Sequence, residues 1–214
     1  MSHNKNHLII ILIIILFSFL ASFYYYQTLP EQIPIHFNAN GEIDRYTTKN
    51  TGLFFIPLIE IFLTILFILI PLIEPKKTNV KKFIKQYNLF AIVMIGFFAY
   101  LHFLILLIAQ GNLIDFNQFF VPAIGIVFYF IGIMIKHAKQ NYLIGIRTPW
   151  TLANEEVWNK THLIGGNLFK ISGIICLFAI FFPSSGFWLI LIPISISSIT
   201  SIVYSYYIYL KIIK

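Results

Sequence analysis

The sequence predicts an all-α polytopic membrane protein with six transmembrane helices and both termini in the cytoplasm. Of the 214 residues, 58% are hydrophobic and only 11% charged, and the mean hydropathy is +0.82. A water-soluble domain of this size cannot keep that much apolar matter off its surface. The apolar residues also fall into six runs, each long enough to cross about 30 Å of hydrocarbon at about 1.5 Å per residue. Finally, stretches such as Phe62 to Ile70 lack the alternation of a barrel strand. Lipid satisfies no open backbone, so helices are what remains.

The first run, Leu8 to Tyr26, exceeds the roughly 7–15 apolar residues of a secretory leader and has no A-x-A cleavage pattern, so it reads as span 1. The others are Gly52 to Ile73, Leu89 to Gln110, Gln118 to Ile135, Asn167 to Phe182 and Phe187 to Tyr209. Pro57, Pro71, Pro122, Pro183 and Pro193 interrupt or bound these spans. They read as packing kinks rather than as the broken helices of a transporter site. Cys176 is the single cysteine, so neither a disulfide framework nor a thiolate metal cluster can come from this chain, and it reads as a small core residue.

Orientation follows from the basic residues. Thirteen of the 15 Lys and Arg lie before span 1, between spans 2 and 3, between spans 4 and 5 or in the first turn of span 5, or after span 6. Only Arg45 and Lys49 lie in the three opposite loops. The positive-inside rule makes the richer set cytoplasmic. The same distribution explains the net charge of +7 without nucleic acid: the lysines end apolar runs and cover no soluble face. Membrane lipid is the expected partner, with no direct nucleic-acid contact. The tyrosine clusters Tyr24-Tyr25-Tyr26 and Tyr204-Tyr206-Tyr207-Tyr209 mark span ends at the headgroup layer.

Two polar loops divide the chain into a two-span unit over 1–75 and a four-span unit over 76–214. The outer loop, Gln27 to Thr51, holds His36, Asn38, Asn40-Gly41 and Asp44, with Pro and Asn-Gly marking tight turns. The inner loop, Lys136 to Gly166, holds Gly145, Ile146 and Arg147, then a helix that Thr148 caps and Pro149 begins. On that helix Glu155, Trp158, Asn159 and His162 share one face. At the interface Arg147 is suited to a lipid phosphate, a backbone carbonyl, or Glu155 or Glu156. Trp150 and Trp158 are suited to anchoring a partner or to floating a helix at the membrane surface.

A metal centre is not expected. Glu155 and His162 stand about 10.5 Å apart along a helix axis, too far to ligate one ion, and no H-E-x-x-H pattern is present. No cofactor motif, phosphate loop or nucleophile elbow occurs, so the chain does not read as an enzyme. Glu60 and His102 fall within spans 2 and 3, both about 12 Å from the outer ends. Two readings stand open for them. They are a proton-linked or gating pair, or a neutral glutamic acid and a histidine satisfied separately by neighbouring helices.

The stretch Leu29-Pro30-Glu31-Gln32-Ile33-Pro34-Ile35-His36-Phe37-Asn38-Ala39-Asn40-Gly41-Glu42-Ile43-Asp44-Arg45-Tyr46 resembles the outer-loop motif of an uncharacterised domain that often precedes SdpI-type membrane domains. Ile144-Gly145-Ile146-Arg147-Thr148-Pro149-Trp150-Thr151, with Glu155, Trp158, His162 and Gly165-Gly166, resembles the signature of the SdpI family itself. The resemblance implies a bacterial cell-membrane immunity protein that protects against a secreted, SdpC-like peptide toxin. It also implies a signalling role in which a cytoplasmic ArsR-type repressor is recruited to the membrane. On this reading His36, Asn38, Gly41 and Asp44 shape the outer surface, and Gly145, Arg147, Trp150, Glu155, Trp158 and His162 the inner one. A toxin that binds two packings of the bundle with different affinity would couple the two. The competing expectation is a small-solute or proton-coupled transporter built on Glu60 and His102.

Overall fold

The computed structural model of the protein describes residues 6–213; Lys5 and Lys214, which entered the charge count, lie outside them. Six helices are long and apolar enough to cross a membrane. They are α1 (Asn6–Tyr25), α2 (Lys49–Ile73), α4 (Ile84–Ala109), α5 (Phe116–His137), α7 (Glu155–Leu177) and α8 (Gly186–Ile213). The short helices α3 (Lys77–Lys81) and α6 (Pro149–Ala153) lie in the connections α2–α4 and α5–α7. Helices α1, α2 and α4 pack together, α5 joins α4 to α7, and α8 lies along α7.

All but one of the six helices follow the expected runs closely. The fifth does not. It begins at Glu155 rather than Asn167, so the polar stretch read as a separate loop helix is the first part of the span. Glu155, Glu156, Asn159 and Lys160 lower the local hydropathy but do not interrupt the hydrogen-bond ladder, and Glu156 and Lys160 pair across one turn at 2.7 Å. The break comes earlier. Asn154, in extended conformation, accepts the N–H groups of Glu156 (2.8 Å) and Val157 (3.1 Å) and caps α7.

The loop between α1 and α2 departs from an all-α description. It is an antiparallel hairpin of β1 (Gln32–Phe37) and β2 (Ile43–Thr48), with irregular register around His36. The turn was legible: Asn38 Oδ1 accepts the N–H groups of Asn40 and Glu42 at 2.9 and 3.0 Å, and Gly41 takes φ +83°, which a side chain would strain. The strands were not, because Asp44-Arg45-Tyr46-Thr47-Thr48 shows no apolar alternation. Buried Ile33 anchors the hairpin on Gly52 of α2, where even one added carbon would lie 2.6 Å from its side chain.

Two glycine pairs fix α5 against α7. A Cβ on Gly125 would meet the Gly173 carbonyl oxygen at 2.7 Å, and one on Gly173 would meet the Gly125 oxygen at 2.5 Å. Gly132 and Gly166 face each other in the same reciprocal way, at 2.5 and 2.7 Å. Both pairs are seven residues apart on antiparallel helices, so the two backbones touch over two turns. Between apolar helices in lipid, such close approach is a main source of association. On α8, Ser197, Ser201 and Ser205 make the matching small-residue stripe, with Ser197 Oγ 2.7 Å from Ser172 Oγ of α7.

The prolines obey one rule at three of the four helix-interior sites. Proline lacks the N–H that would bond the carbonyl four residues back. That carbonyl is taken by a neighbouring helix in each case. Ser22 Oγ donates to Leu53 O (2.6 Å) for Pro57, Tyr87 Oη to Phe67 O (3.1 Å) for Pro71, and the Cys176 thiol to Leu189 O (3.3 Å) for Pro193. This is how membrane helices tolerate proline, and it makes Cys176 a buried thiol donor within the core. Tyr87→Phe should therefore cost about 0.6–1.7 kcal/mol, the range for interhelical hydrogen bonds in membranes. In a Pro71→Ala background, where residue 71 regains its N–H, the cost should fall toward zero. Thermal melts of the four proteins in detergent give the coupling directly.

Candidate functional site

At the hairpin end, the residues singled out by sequence come together. His36 and Asp44, on opposite strands, pair at 2.6 Å with side chains 55% and 44% exposed. Asn38 is spent on the turn, adding a bond from Nδ2 to Glu42 at 2.8 Å. Gly41 rests on Asn117 of α5, whose Nδ2 donates to Ala39 O at 3.0 Å. Phe37 stacks on Phe116 with ring centres 3.7 Å apart and planes 2° from parallel. The hairpin tip is thus clamped to the start of α5. Between them opens a cleft of ≈ 270 Å³, with His36 and Asn38 on one wall and Phe116, Phe120, Phe187 and Ile190 on the other.

At the opposite end, Trp158 and His162 lie buried and stacked, ring centres 3.9 Å apart. Trp158 Nε1 donates to Ala138 O at 2.8 Å, holding the end of α5. His162 accepts the Ile146 N–H at Nε2 (3.0 Å), which leaves its proton on Nδ1, donated to Trp158 O at 2.8 Å. Gly145 lies against the Nε2 edge of this ring. Its φ is +120° and an added Cβ would collide with His162 Nε2, so conformation and space both require glycine. The shared face proposed for Glu155, Trp158, Asn159 and His162 is therefore split: Trp158 and His162 turn into the core, whereas Glu155 and Asn159 are exposed. Arg147 stays at the surface and donates to Tyr142 O at 2.7 Å, the backbone-carbonyl alternative, rather than to either glutamate. Trp150 leans on Tyr206 of α8 at 4.9 Å, and Thr148 caps α6 in a reciprocal pair with Thr151 while reaching Ser205 at 3.0 Å.

Sequence reasoning missed what holds this loop. Glu74, at the end of α2, is buried and accepts the N–H groups of Tyr142 (3.1 Å to both oxygens) and Lys76 (2.9 Å). Lys76 Nζ in turn donates to Gln140 Oε1 at 2.7 Å. Asn141, also buried, accepts from Leu143 and Ile144 N–H at 2.9 and 2.6 Å. The only signal was an acid standing before Pro75 in a lysine-rich linker, and its partner lies 68 residues away.

Glu60 and His102, the third group, are fully buried and both attach to α1. Ser18 Oγ donates to Glu60 Oε1 at 2.9 Å, and Ser22 Oγ lies 3.0 Å from His102 Nε2. Ser18 and Ser22 are one turn apart, so a single helix face gathers both. No direct bond joins Glu60 to His102 among the described residues.

Comparison with known proteins bears on the chain nearly end to end. Residues 13–61, covering most of α1, the hairpin and the first half of α2, match a domain of unknown function (DUF1648). Residues 137–205, from the end of α5 into α8, match the SdpI/YfhL protein family. The immunity protein SdpI of Bacillus subtilis (strain 168) is 30% identical over 196 residues, 91% of this chain and 92% of that protein. The chain belongs to the SdpI family. No solved structure matches it. The family match covers the stacked Trp158–His162 pair, Gly145 and the Gly166–Gly173 face. The second match covers Ser18, Ser22, Glu60 and the whole hairpin, so all three groups have residues in matched regions, whereas His102 and Glu74 lie between the two matches.

Proposed function

We propose that this SdpI-family chain is a multi-pass cell-membrane immunity protein that protects its host from a secreted peptide toxin, with both termini cytoplasmic and the hairpin outside. The observation that carries the proposal is the near full-length similarity to the B. subtilis immunity protein. The cleft under the hairpin supports a contact for the toxin. It joins an aromatic wall to an exposed His36–Asp44 pair and is held open by the Phe37–Phe116 stack. An amphipathic peptide arriving at the membrane surface presents the apolar and polar groups that such a cleft accepts.

The finer reading concerns signalling. Toxin bound at the cleft biases how the hairpin sits on α5; α5 leads to Ala138, the anchor of Trp158, and so to the Arg147 loop. Arg147, Trp150 and Glu155 are the residues of that end still offered to a cytoplasmic partner such as an ArsR-type repressor. The two units, 1–75 and 76–214, meet in this scheme at the hairpin and at Glu74.

The test is survival of a toxin-sensitive Gram-positive host expressing the chain, with membrane insertion verified. Wild type should restore growth in an SdpC-like toxin, and His36→Ala combined with Asp44→Ala should reduce protection at least tenfold at equal expression. Undiminished killing of cells carrying the wild-type chain, across several related toxins, would overturn the immunity reading. Full protection by the double variant would overturn the cleft.

A further inference from the structure

The polar cluster inside the helices plays no part in that scheme, yet it is costly to bury. Glu60 and His102 are both fully buried. Each is satisfied at one atom only: Glu60 Oε2 and His102 Nδ1 have no hydrogen-bond partner. No ion pair reaches either group among the described residues. Among the described residues the side chains hydrogen-bonded at these two positions are neutral: Ser18 and Ser22 from α1, and Thr64 from α2, whose hydroxyl is bonded to Glu60 O at 2.7 Å. An isolated carboxylate in such a place is expensive, and ionisable groups kept inside membrane helices are by default functional.

The hydrogen bonds define where a proton can reside. The Ser22 hydroxyl has one hydrogen, and its shortest contact is the 2.6 Å bond to Leu53 O, the carbonyl vacated by Pro57. His102 Nε2 therefore donates to Ser22 Oγ, and the free lone pair of the ring is on Nδ1. Ser18 Oγ donates to Glu60 Oε1, which leaves Oε2 free to carry a proton. We propose that Glu60 and His102 form an intramembrane proton-binding site, held side by side on α1 by Ser18 and Ser22. One proton has two residences, Glu60 Oε2 and His102 Nδ1. Moving it from acid to imidazole gives carboxylate and imidazolium with no change in net charge, and a second proton brings the pair to +1. Because both groups hang on one face of α1, the protonation state sets how α1 sits against α2 and α4.

The experiment is infrared difference spectroscopy of the full chain in lipid nanodiscs, stepped across about pH 5 to 9, in H2O and D2O. A protonated-carboxyl C=O band is expected that moves down in D2O, changes amplitude over the range, and shifts in both Ser18→Ala and His102→Asn. It should vanish in Glu60→Gln. Where Glu60→Gln does not yield folded protein, the Ser18→Ala shift carries the assignment, since Ser18 bonds Glu60. Absence of any acid band sensitive to Ser18→Ala, or a band constant across the range and indifferent to His102→Asn, overturns the proposal. Toxin protection is not the readout, so this result stands apart from the immunity test.

Discussion

Replacing Gly166 by leucine should abolish recovery of folded protein from membranes. A Cβ alone at this position would lie 2.7 Å from the Gly132 carbonyl oxygen and 2.8–2.9 Å from Cβ and N of Lys136. These are backbone and near-backbone atoms of α5, which cannot swing aside as a side-chain tip would. Overpacking a core typically costs about 1–3 kcal/mol. Here two backbones must separate, so Gly166→Ala should reach the top of that range and leucine exceed it. Gly96→Ala is the internal control. Nothing lies within 4 Å of its would-be Cβ, and the helix propensity of alanine should make it neutral or stabilising by up to about 1 kcal/mol. Monodispersity in mild detergent and thermal melting separate the two outcomes; equal behaviour of Gly166→Ala and Gly96→Ala would refute the close α5–α7 contact.

Removing the Glu74 carboxylate should free the Arg147 loop from the rest of the protein. Glu74→Ala strands the N–H groups of Tyr142 and Lys76, each of which bonds a carboxylate oxygen. Hydrogen bonds to charged groups contribute about 1.5–3 kcal/mol each, so a loss of about 3–6 kcal/mol is expected. Glu74→Gln should cost about half as much, because Oε1 alone serves both donors and an amide keeps one acceptor oxygen. The local signature is more diagnostic than the melt. Trypsin should cut after Lys139 and Arg147 sooner in Glu74→Ala than in wild type, while the hairpin end is unchanged. Unaltered cleavage with lowered stability would mean that the loop is held by Asn141 and His162 without Glu74.

Gly145, Trp158 and His162 show how residues visible as a motif can be expected at a surface and lie packed together instead, with Trp158 and His162 buried. Their spacing was visible, but helical periodicity gives only an angle about an axis. It cannot say whether that angle faces lipid, water or protein, and here stacking of Trp158 on His162 turned two of four residues inward. His36 and Asp44 illustrate the converse. Nothing in the sequence paired them, since hairpin register depends on the bulge near His36, yet the two side chains meet at the exposed end of the hairpin.

By itself the sequence determined the six spans, the Asn-Gly turn, the Thr148–Pro149 helix start and the presence of an acid and an imidazole inside the membrane. These follow from local terms: hydropathy over about 20 residues, backbone preference at Gly and Pro, and a capping side chain next to the helix it caps. Only the tertiary structure decided that Ser18 and Ser22 gather Glu60 and His102, that Glu74 holds a loop 68 residues away, and that four glycines seat α5 on α7. Each of those depends on which helix neighbours which. In a chain whose helices are apolar on nearly every face, hydropathy makes one neighbour look like another, and the choice falls to glycine contacts and to the few polar groups that must find a partner.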